Sequence, residues 1–568
     1  MSTTQSPEPD TAASNTPAGP AASLKRKRRL WARILLWLLA AIGAVILLLV
    51  LGGFVWLEII AHRPSPVHAA LTRQEISAEM ARLGQLGVKV PGGTLLKERP
   101  FESPWDSHSL LVPWAWMQAK PPGAALLGVK LRADALLADL DVLEPVMQRA
   151  YGGWDTAAAR GWNWKQWFAD WRKTLAARGN EEISFDEAFA PMDRLLAFQR
   201  DNHTQIPLDR FYTSSGSQTA VLASAPRASC TEVRAAGRVT ALAANDASQR
   251  VRAAKSWTSG EKSLAVAYYI SMPGSNGIPE AIRCGSEWIA LRPAGKGGGF
   301  WDMALRRVSW LLTTERARVE RLGDGIVYAR LPLMLPKNYD GLDQKSWPKR
   351  ERSDRVLIVD ARDNGGGSVE FGLRVLKGWV DEDPTTDFGQ FGSAITTSCL
   401  YPALRWGFAG VFYGHSTSPD AREFEQSLVD EMAKPYPAGC PRTVNMQQPK
   451  RTYLQRRFAP KPGALRIIML VNSRCGSDCE ALTAMLAMRP DTLIAGTNTY
   501  GVAQFIQPGY GVLPHTGLAY RIALGNSNLY GDNRSLDGYG LDVDVVLPGV
   551  DTLGPGQLRE FAEIVARL

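Results

Sequence analysis

A serine and a run of glycines, each where an apolar stretch gives way to a polar turn, are the residues of this chain best suited to acyl transfer. Ser477 follows the apolar run Leu465–Val471 and stands where a helix is predicted to begin, two residues after Cys475 and three before Glu480. A hydroxyl at a helix start meets unpaired N–H groups and the positive end of the helix dipole, which stabilise negative charge. Gly365, Gly366 and Gly367 follow a second apolar run ending at Asp360, and glycine lets backbone N–H groups turn toward an oxyanion. Each feature has a plainer reading: Ser477 as a helix N-cap, the glycines as a turn. A phosphate loop is excluded, because no Gly-x4-Gly-Lys-Ser/Thr pattern follows. A serine hydroxyl also needs a base, and no lysine occurs after Lys461.

In this order and on these elements, the two junctions resemble the C-terminal processing (tail-specific) serine peptidase family, in its tricorn-core and interphotoreceptor retinoid-binding-protein-like branch. Asp360 to Gly367 matches the family segment "DLRxNGGG", and Asn472 to Glu480 matches "vN…SxSxxE", in which Glu480 marks Ser477 as the nucleophile. The likeness continues through Gly496–Gly501 and through Leu536–Gly540 with Asp544. It implies a ClpP/crotonase-like α/β catalytic core and peptide or protein substrates; no cofactor is expected, and no metal, since Cys475 and Cys479 have no second close Cys/His pair near them in sequence. Members with a Ser-Lys dyad carry a lysine where this chain has Val502. The tricorn-like branch instead takes a histidine from an "lxxlxDxHt" segment, which here reads Leu195 to Thr204 and makes His203 the candidate base. Asp537, at the family's glutamate position and one methylene shorter, becomes the acid that orients it. The N–H groups of Asp478 and of Gly365 or Gly366 become the oxyanion hole. Of the other histidines, His62 and His68 fall before the folded region, His108 in a proline-rich stretch, His415 in an insertion and His515 in a Pro-His-Thr-Gly turn.

The elements that must position these residues follow from periodicity. From about residue 316, strands at Ile326–Leu331, Val356–Val359, Leu465–Val471, Leu493–Ala495, Leu518–Leu524 and Val543–Leu547 alternate with helices at Val369–Val380 and from Ser477 to before Pro490. Such alternation predicts an α/β fold with a largely parallel sheet, interrupted by an irregular insertion over 384–462. Residues 130–210 carry apolar positions at helical spacing, and Trp164, Trp167 and Trp171 read as one buried stripe rather than a sugar-stacking platform. Residues 211–315 alternate in short runs and predict β structure. The Ser259–Lys262 spacing seen in penicillin-recognising enzymes lacks its Lys-Thr-Gly partner and carries no weight.

The chain has 568 residues, 18 Trp, six Cys and a net charge of +9. Six basic and two acidic residues up to Arg33 account for +4 of that, which leaves no basic stripe for nucleic acid. The basic knot precedes an uncharged run, Ile34–Leu57; as a helix it would extend roughly 36 Å, enough to cross a ~30 Å hydrocarbon core. A cleavable signal peptide has a shorter apolar stretch, although small residues near Val67–Ala69 leave a cleavage site open. The charge bias places the N-terminus in the cytoplasm and the bulk outside, which is the periplasm if the cell is Gram-negative. The domain expectation is a basic tail over 1–33, a transmembrane helix over 34–57, a linker and the start of the folded region over 58–129, a helical region over 130–210, a β-rich region over 211–315 and the peptidase-like core over 316–568. All six cysteines (Cys230, Cys284, Cys399, Cys440, Cys475, Cys479) lie beyond the span, where disulfides are expected, with pairing left open. Cys475 and Cys479 can join each other across one turn, pair elsewhere or pack as small apolar residues. The functional expectation is a membrane-anchored extracytoplasmic serine peptidase. Its alternative is an inactive binding protein on the same fold.

Overall fold

The chain divides into two units, Met1–Arg63 and Pro64–Leu568. The structure, a computed structural model, describes only Trp37, Leu38, Gly43 and Ala44 before residue 130. Beyond that it describes the chain except 207–216, 243–249, 274–278, 295–314, 340–349, 381–391, most of 406–440, 448–451, 530–535 and the single positions 399, 403, 514 and 517. The expected tail and linker, all but those four residues of the expected span, and Cys399, Cys440, His62, His68, His108 and His415 therefore lie outside the described residues. Among those described, no helix is long and apolar enough to cross a membrane.

The first described region is helical: α1 (Ala133–Ala150), α2 (Trp154–Ala159), α3 (Trp164–Ala176) and α4 (Phe185–Gln199). Trp164, Trp167 and Trp171 are buried, as their spacing requires. The Trp167 indole N–H donates to the Pro191 carbonyl at 3.1 Å and that of Trp171 to Ala188 at 2.9 Å, so each ring has a partner for its polar edge. Arg200, in the left-handed conformation at φ 59°, ends α4 and turns the chain into the segment that bears His203.

An antiparallel β region follows: β1 (Ser217–Leu222), β2 (Cys230–Ala235), β3 (Arg238–Ala241), β4 (Arg252–Ser256), β5 (Ala265–Pro273), β6 (Pro279–Cys284) and β7 (Glu287–Pro293). The core then contributes β8 (Arg318–Gly323), β9 (Ile326–Arg330), β10 (Val356–Asp360), α5 (Val369–Leu376), β11 (Gly392–Thr397), β12 (Thr443–Gln447), β13 (Arg466–Val471), α6 (Asp478–Ala487), β14 (Thr492–Gly496), β15 (Phe505–Val512), β16 (Ala519–Asn528), β17 (Val545–Val546) and α7 (Pro555–Val565). Thirteen strands form one sheet in the order β8-β9-β10-β13-β14-β17-β4-β5-β1-β7-β6-β2-β3. Pairing from β9 to β4 is parallel throughout, so the β1–β7 region continues the core sheet through Val545 beside Lys255.

Strands β9, β10 and β14 are buried at every position, as expected of parallel strands covered on both faces. Alternate residues serve opposite layers. Val327, Leu357, Val359, Ile467 and Met469 pack with α5 and α6, whereas Tyr328, Ile358, Ile468 and Leu470 pack with Trp257 and with Phe561 of α7. Two expectations need correction. Leu518–Leu524 was expected among the strands of the α/β core, but β16 belongs to a separate antiparallel sheet ordered β12-β11-β16-β15. Two strands of that sheet, β11 and β12, come from the insertion expected to be irregular; pairing of β11 with β16, and of β12 with β11, orders them although their own sequence is mixed.

Leu482 of α6 is fully buried between the sheet and α5, close enough that a Cβ on Gly372 would lie 2.8 Å from its Cδ2. Leu482→Ala should cost about 2–5 kcal/mol of stability, read as a lower denaturant midpoint at unchanged slope.

Candidate active site

The glycine turn and Ser477 follow the carboxyl ends of the adjacent parallel strands β10 and β13, where open α/β sheets place their sites. After β10, Asp360 accepts from the Tyr328 hydroxyl at 2.7 Å and from the Arg362 guanidinium at 2.7 and 2.9 Å. Burial alone would raise its pKa, but the bonds and charge of Arg362 outweigh it and hold the carboxyl below its ordinary value. Asn472, after β13, accepts from the N–H of Asp363 at 3.0 Å and donates to the Asp363 and Asp551 carboxylates at 2.9 and 2.8 Å. The Gly476 N–H donates to the Asn364 carbonyl at 3.0 Å. These bonds dock the glycine turn on the serine turn.

The docking leaves no room for side chains. At Gly366, with φ 103°, an added Cβ would stand 2.8 Å from the Ser477 Cβ and 3.0 Å from the Asp478 nitrogen. Ser477 itself adopts φ 55°, ψ −122°, outside the regions L residues favour, and its side chain makes no capping bond. This overturns the plain N-cap reading. The Gly366 N–H is committed to Asn364 Oδ1 at 2.9 Å. Neither the Gly365 nor the Asp478 N–H donates a hydrogen bond among the described residues. The Asp478 carboxyl accepts from Val369 N–H at 3.1 Å, and burial pushes it up to about 6.

Glu480, on the first turn of α6, is fully buried. Its carboxyl accepts from the Thr499 hydroxyl, from Gly501 N–H at 2.8 Å and from Val502 N–H at 2.8 Å. Burial pushes it up to about 7 against the opposing effect of those donors. The loop it holds packs over the serine turn: Val502 Cγ2 would be 3.1 Å from a Cβ on Gly476. The turn bearing Asp537 docks on the same loop, with Gly538 N–H donating to the Gly501 carbonyl at 2.8 Å.

His203 arrives from the helical region. Asp201 Oδ1 accepts from the N–H groups of His203 and Thr204 at 2.8 and 2.9 Å, and Gln205 bridges to Arg521 of β16 through bonds of 2.7 and 2.9 Å. Asn202 Nδ2 donates to the Gly501 carbonyl at 3.1 Å. The imidazole is buried, and its Nδ1 has no hydrogen-bond partner. Burial and then the Arg521 charge push its pKa down to about 3, partly offset by backbone groups of Phe505 and Val502. Asp537 is fully buried and accepts from Gln504 N–H at 2.8 Å. Burial, with Asp201 and Glu480 nearby, holds its pKa well above the usual carboxylate range.

Ser477, His203 and Asp537 thus converge on one segment, 499–504. No hydrogen bond links Ser477 to His203 or His203 to Asp537 among the described residues. The other described histidine, His515, is exposed, and its N–H donates to Asp139 of α1 at 2.7 Å. Among the described residues two disulfides are formed, Cys230–Cys284 and Cys475–Cys479. The sequence reading gave no role to Tyr151, whose buried hydroxyl lies beside Asp201 and Asp537, or to Asp201 as the anchor of the histidine turn. Only the Asp-x-His spacing hinted at the second.

Residues 325–547 match the model of peptidase family S41. That stretch is similar to this family of serine peptidases. No curated protein matches the chain. Among solved structures, mature CPAF is 15% identical, with 77% of this chain and 97% of that one covered, at a TM-score of 0.35. The photosystem II D1 C-terminal processing protease is 13% identical, with 76% and 97% covered and a TM-score of 0.31. The tricorn protease is 14% identical, with 77% and 37% covered, also at 0.31.

Because the Glu480 pKa is raised on folding, its ionisation opposes the folded state as pH rises from its unfolded value near 4.5 through about 7. Wild type should therefore gain stability relative to Glu480→Gln as the pH is lowered from 8 to 5, measured by urea midpoints. A difference that does not change with pH would show that the carboxyl is not perturbed.

Proposed function

We propose that this protein is a membrane-anchored, extracytoplasmic serine endopeptidase that uses Ser477, His203 and Asp537 in place of a Ser-Lys dyad. The observation that carries the reading is the position of His203: its ring lies against the backbone of Val502, the residue at the lysine position, while the Val502 side chain packs over the serine turn. A buried imidazole thus stands beside the place from which the dyad lysine would reach.

In this reading Ser477 Oγ attacks the peptide carbonyl carbon and His203, neutral at working pH, takes the hydroxyl proton. The N–H groups of Asp478 and Gly365 meet the oxyanion; Gly366, bonded to Asn364, is no longer a candidate donor. Collapse expels the amine, protonated by His203, and water admitted to the same base hydrolyses the acyl-enzyme. Asp537 orients the ring once substrate draws the groups together, since catalytic bonds can be loose in the free enzyme. The uncharged run 34–57 behind a basic knot supports the anchor and its orientation. One observation favours the second reading, an inactive binding protein: the absence of hydrogen bonds joining Ser477, His203 and Asp537.

Labelling of the full chain, purified in detergent, by a fluorophosphonate probe separates the two. Wild type should label, Ser477→Ala should not, and His203→Ala should label at least ~10²-fold more slowly. Unlabelled wild type, or a Ser477→Ala variant that labels equally, sinks the peptidase reading. Arg521→Met removes the cation that disfavours the imidazolium, so the pKa of His203 should rise and the acid limb of the labelling rate should move to higher pH. An unmoved limb would argue that His203 is not the base.

A further inference from the structure

The disulfide Cys475–Cys479 closes a ring of five residues with Ser477 at its centre. Cys479 lies on the first turn of α6 and Cys475 in the turn that leaves β13, so the bond joins the two sides of the serine. Ser477 holds φ 55°, ψ −122°, a conformation that persists only where its surroundings over-determine it. Its own side chain contributes no hydrogen bond toward that end. The restraint comes from the ring and its flanks. Cys475 donates its N–H to Asn472 and accepts from Tyr500 N–H at 2.9 and 2.8 Å, and Cys479 N–H donates to the Gly476 carbonyl at 3.1 Å. Both cysteines are fully buried in the layer that includes Leu482 and Met485, so the link sits on the packed side of the turn, away from where substrate must approach.

We propose that the Cys475–Cys479 disulfide is a positioning bracket for Ser477, so that the chain turns over substrate in its oxidised form and loses turnover when the bracket is reduced. The proposal rests on the reading of Ser477 as nucleophile. Reduction by a dithiol supplies two electrons and two protons: one thiolate attacks a bracket sulfur, the mixed disulfide is resolved by the second thiol, and two cysteine thiols and an oxidised reagent result. The ring then opens, and the serine Oγ and the Asp478 N–H are no longer held at one point. A misplacement of about 1 Å is enough to cost on the order of 10²-fold in rate. The other described disulfide, Cys230–Cys284, ties β2 to β6 and serves as the internal control.

The test uses the full chain in detergent, with fluorophosphonate labelling measured as maximal rate and half-saturating probe concentration, before and after dithiothreitol. Mass mapping of alkylated peptides reports which cysteines are free, and far-UV circular dichroism reports folding. In wild type, reduction of the 475–479 bond should lower the maximal rate ~10-fold or more and shift half-saturation less than ~2-fold. Reoxidation with diamide should restore the rate. Cys475→Ala/Cys479→Ala should label slowly under all conditions. Cys230→Ala/Cys284→Ala should label like wild type when oxidised and lose labelling on reduction as wild type does. Full labelling with residues 475 and 479 mapped as free thiols overturns the proposal, as does a native chain without the 475–479 link. Loss of labelling only together with loss of the dichroism signal also overturns it, because the bond would then be structural. If neither redox state of wild type labels, the nucleophile reading fails and takes the bracket with it; if both label equally, the bracket alone fails.

Discussion

Everything around the candidate site is registered through one buried carboxyl, that of Glu480. Removing a carboxylate from water costs several kcal/mol unless donors replace the lost solvent. Here a hydroxyl and two backbone N–H groups converge on it, all from the short loop 499–502. Because Glu480 sits on the same helix turn as the nucleophile candidate, meeting its hydrogen-bond demand fixes that loop relative to Ser477. The histidine turn, through Asn202 and Gly501, and the Asp537 turn, through Gly538 and Gly501, are then built on the same loop. The demand is local and the positioning it produces is long-range.

The parallel sheet supplies the rest of the precision. Adjacent strands β10 and β13 run in register, Asp360 beside Leu470, so the loops leaving them emerge side by side at one edge. Their approach is so close that a β-carbon at Gly366 would collide with the serine turn, and one at Gly367 would lie 2.1 Å from the Met334 carbonyl. The glycines therefore do two things: they let the backbone reach positive φ, and they permit contact between two turns that would otherwise be held apart by a side chain.

How much of this the sequence disclosed follows the range of the forces involved. Strands β9, β10, β13 and β14 were legible because burial on both faces leaves continuous apolar runs, and α6 because its apolar run starts after a serine turn and stops before Pro490. The placement of β16 was not legible, since its alternation is compatible with several partners and only pairing with the insertion decides among them. The continuity of the β1–β7 region with the core sheet depends on a two-residue strand, β17, too short to leave a periodic signal. At the site, Ser477 and the glycines were visible from their spacing. Tyr151 was not: nothing around it in sequence sets it apart, and it meets Asp201 and Asp537 only after α1 and the turn that follows α4 have packed.

The electrostatics of the cluster bear on how a histidine could replace a lysine here. Asp201, Asp537 and Glu480 are buried together, and burial raises all three pKa values, so the resting cluster disfavours further negative charge. A lysine at position 502 would place a titratable amine beside them, able to hold a proton among the acids; with valine there, that group is missing and His203 rests neutral. A proton taken from Ser477 would create an imidazolium in this acid-lined, poorly solvated region. Positive charge appearing at that moment would favour ionisation of a neighbouring carboxyl, an interaction absent from the ground state and present as the hydroxyl is deprotonated. Stabilisation of that kind lowers a barrier without tightening ground-state binding. Arg521 works against it, which makes the balance between that guanidinium and the three acids the physical quantity on which the basicity of His203 turns.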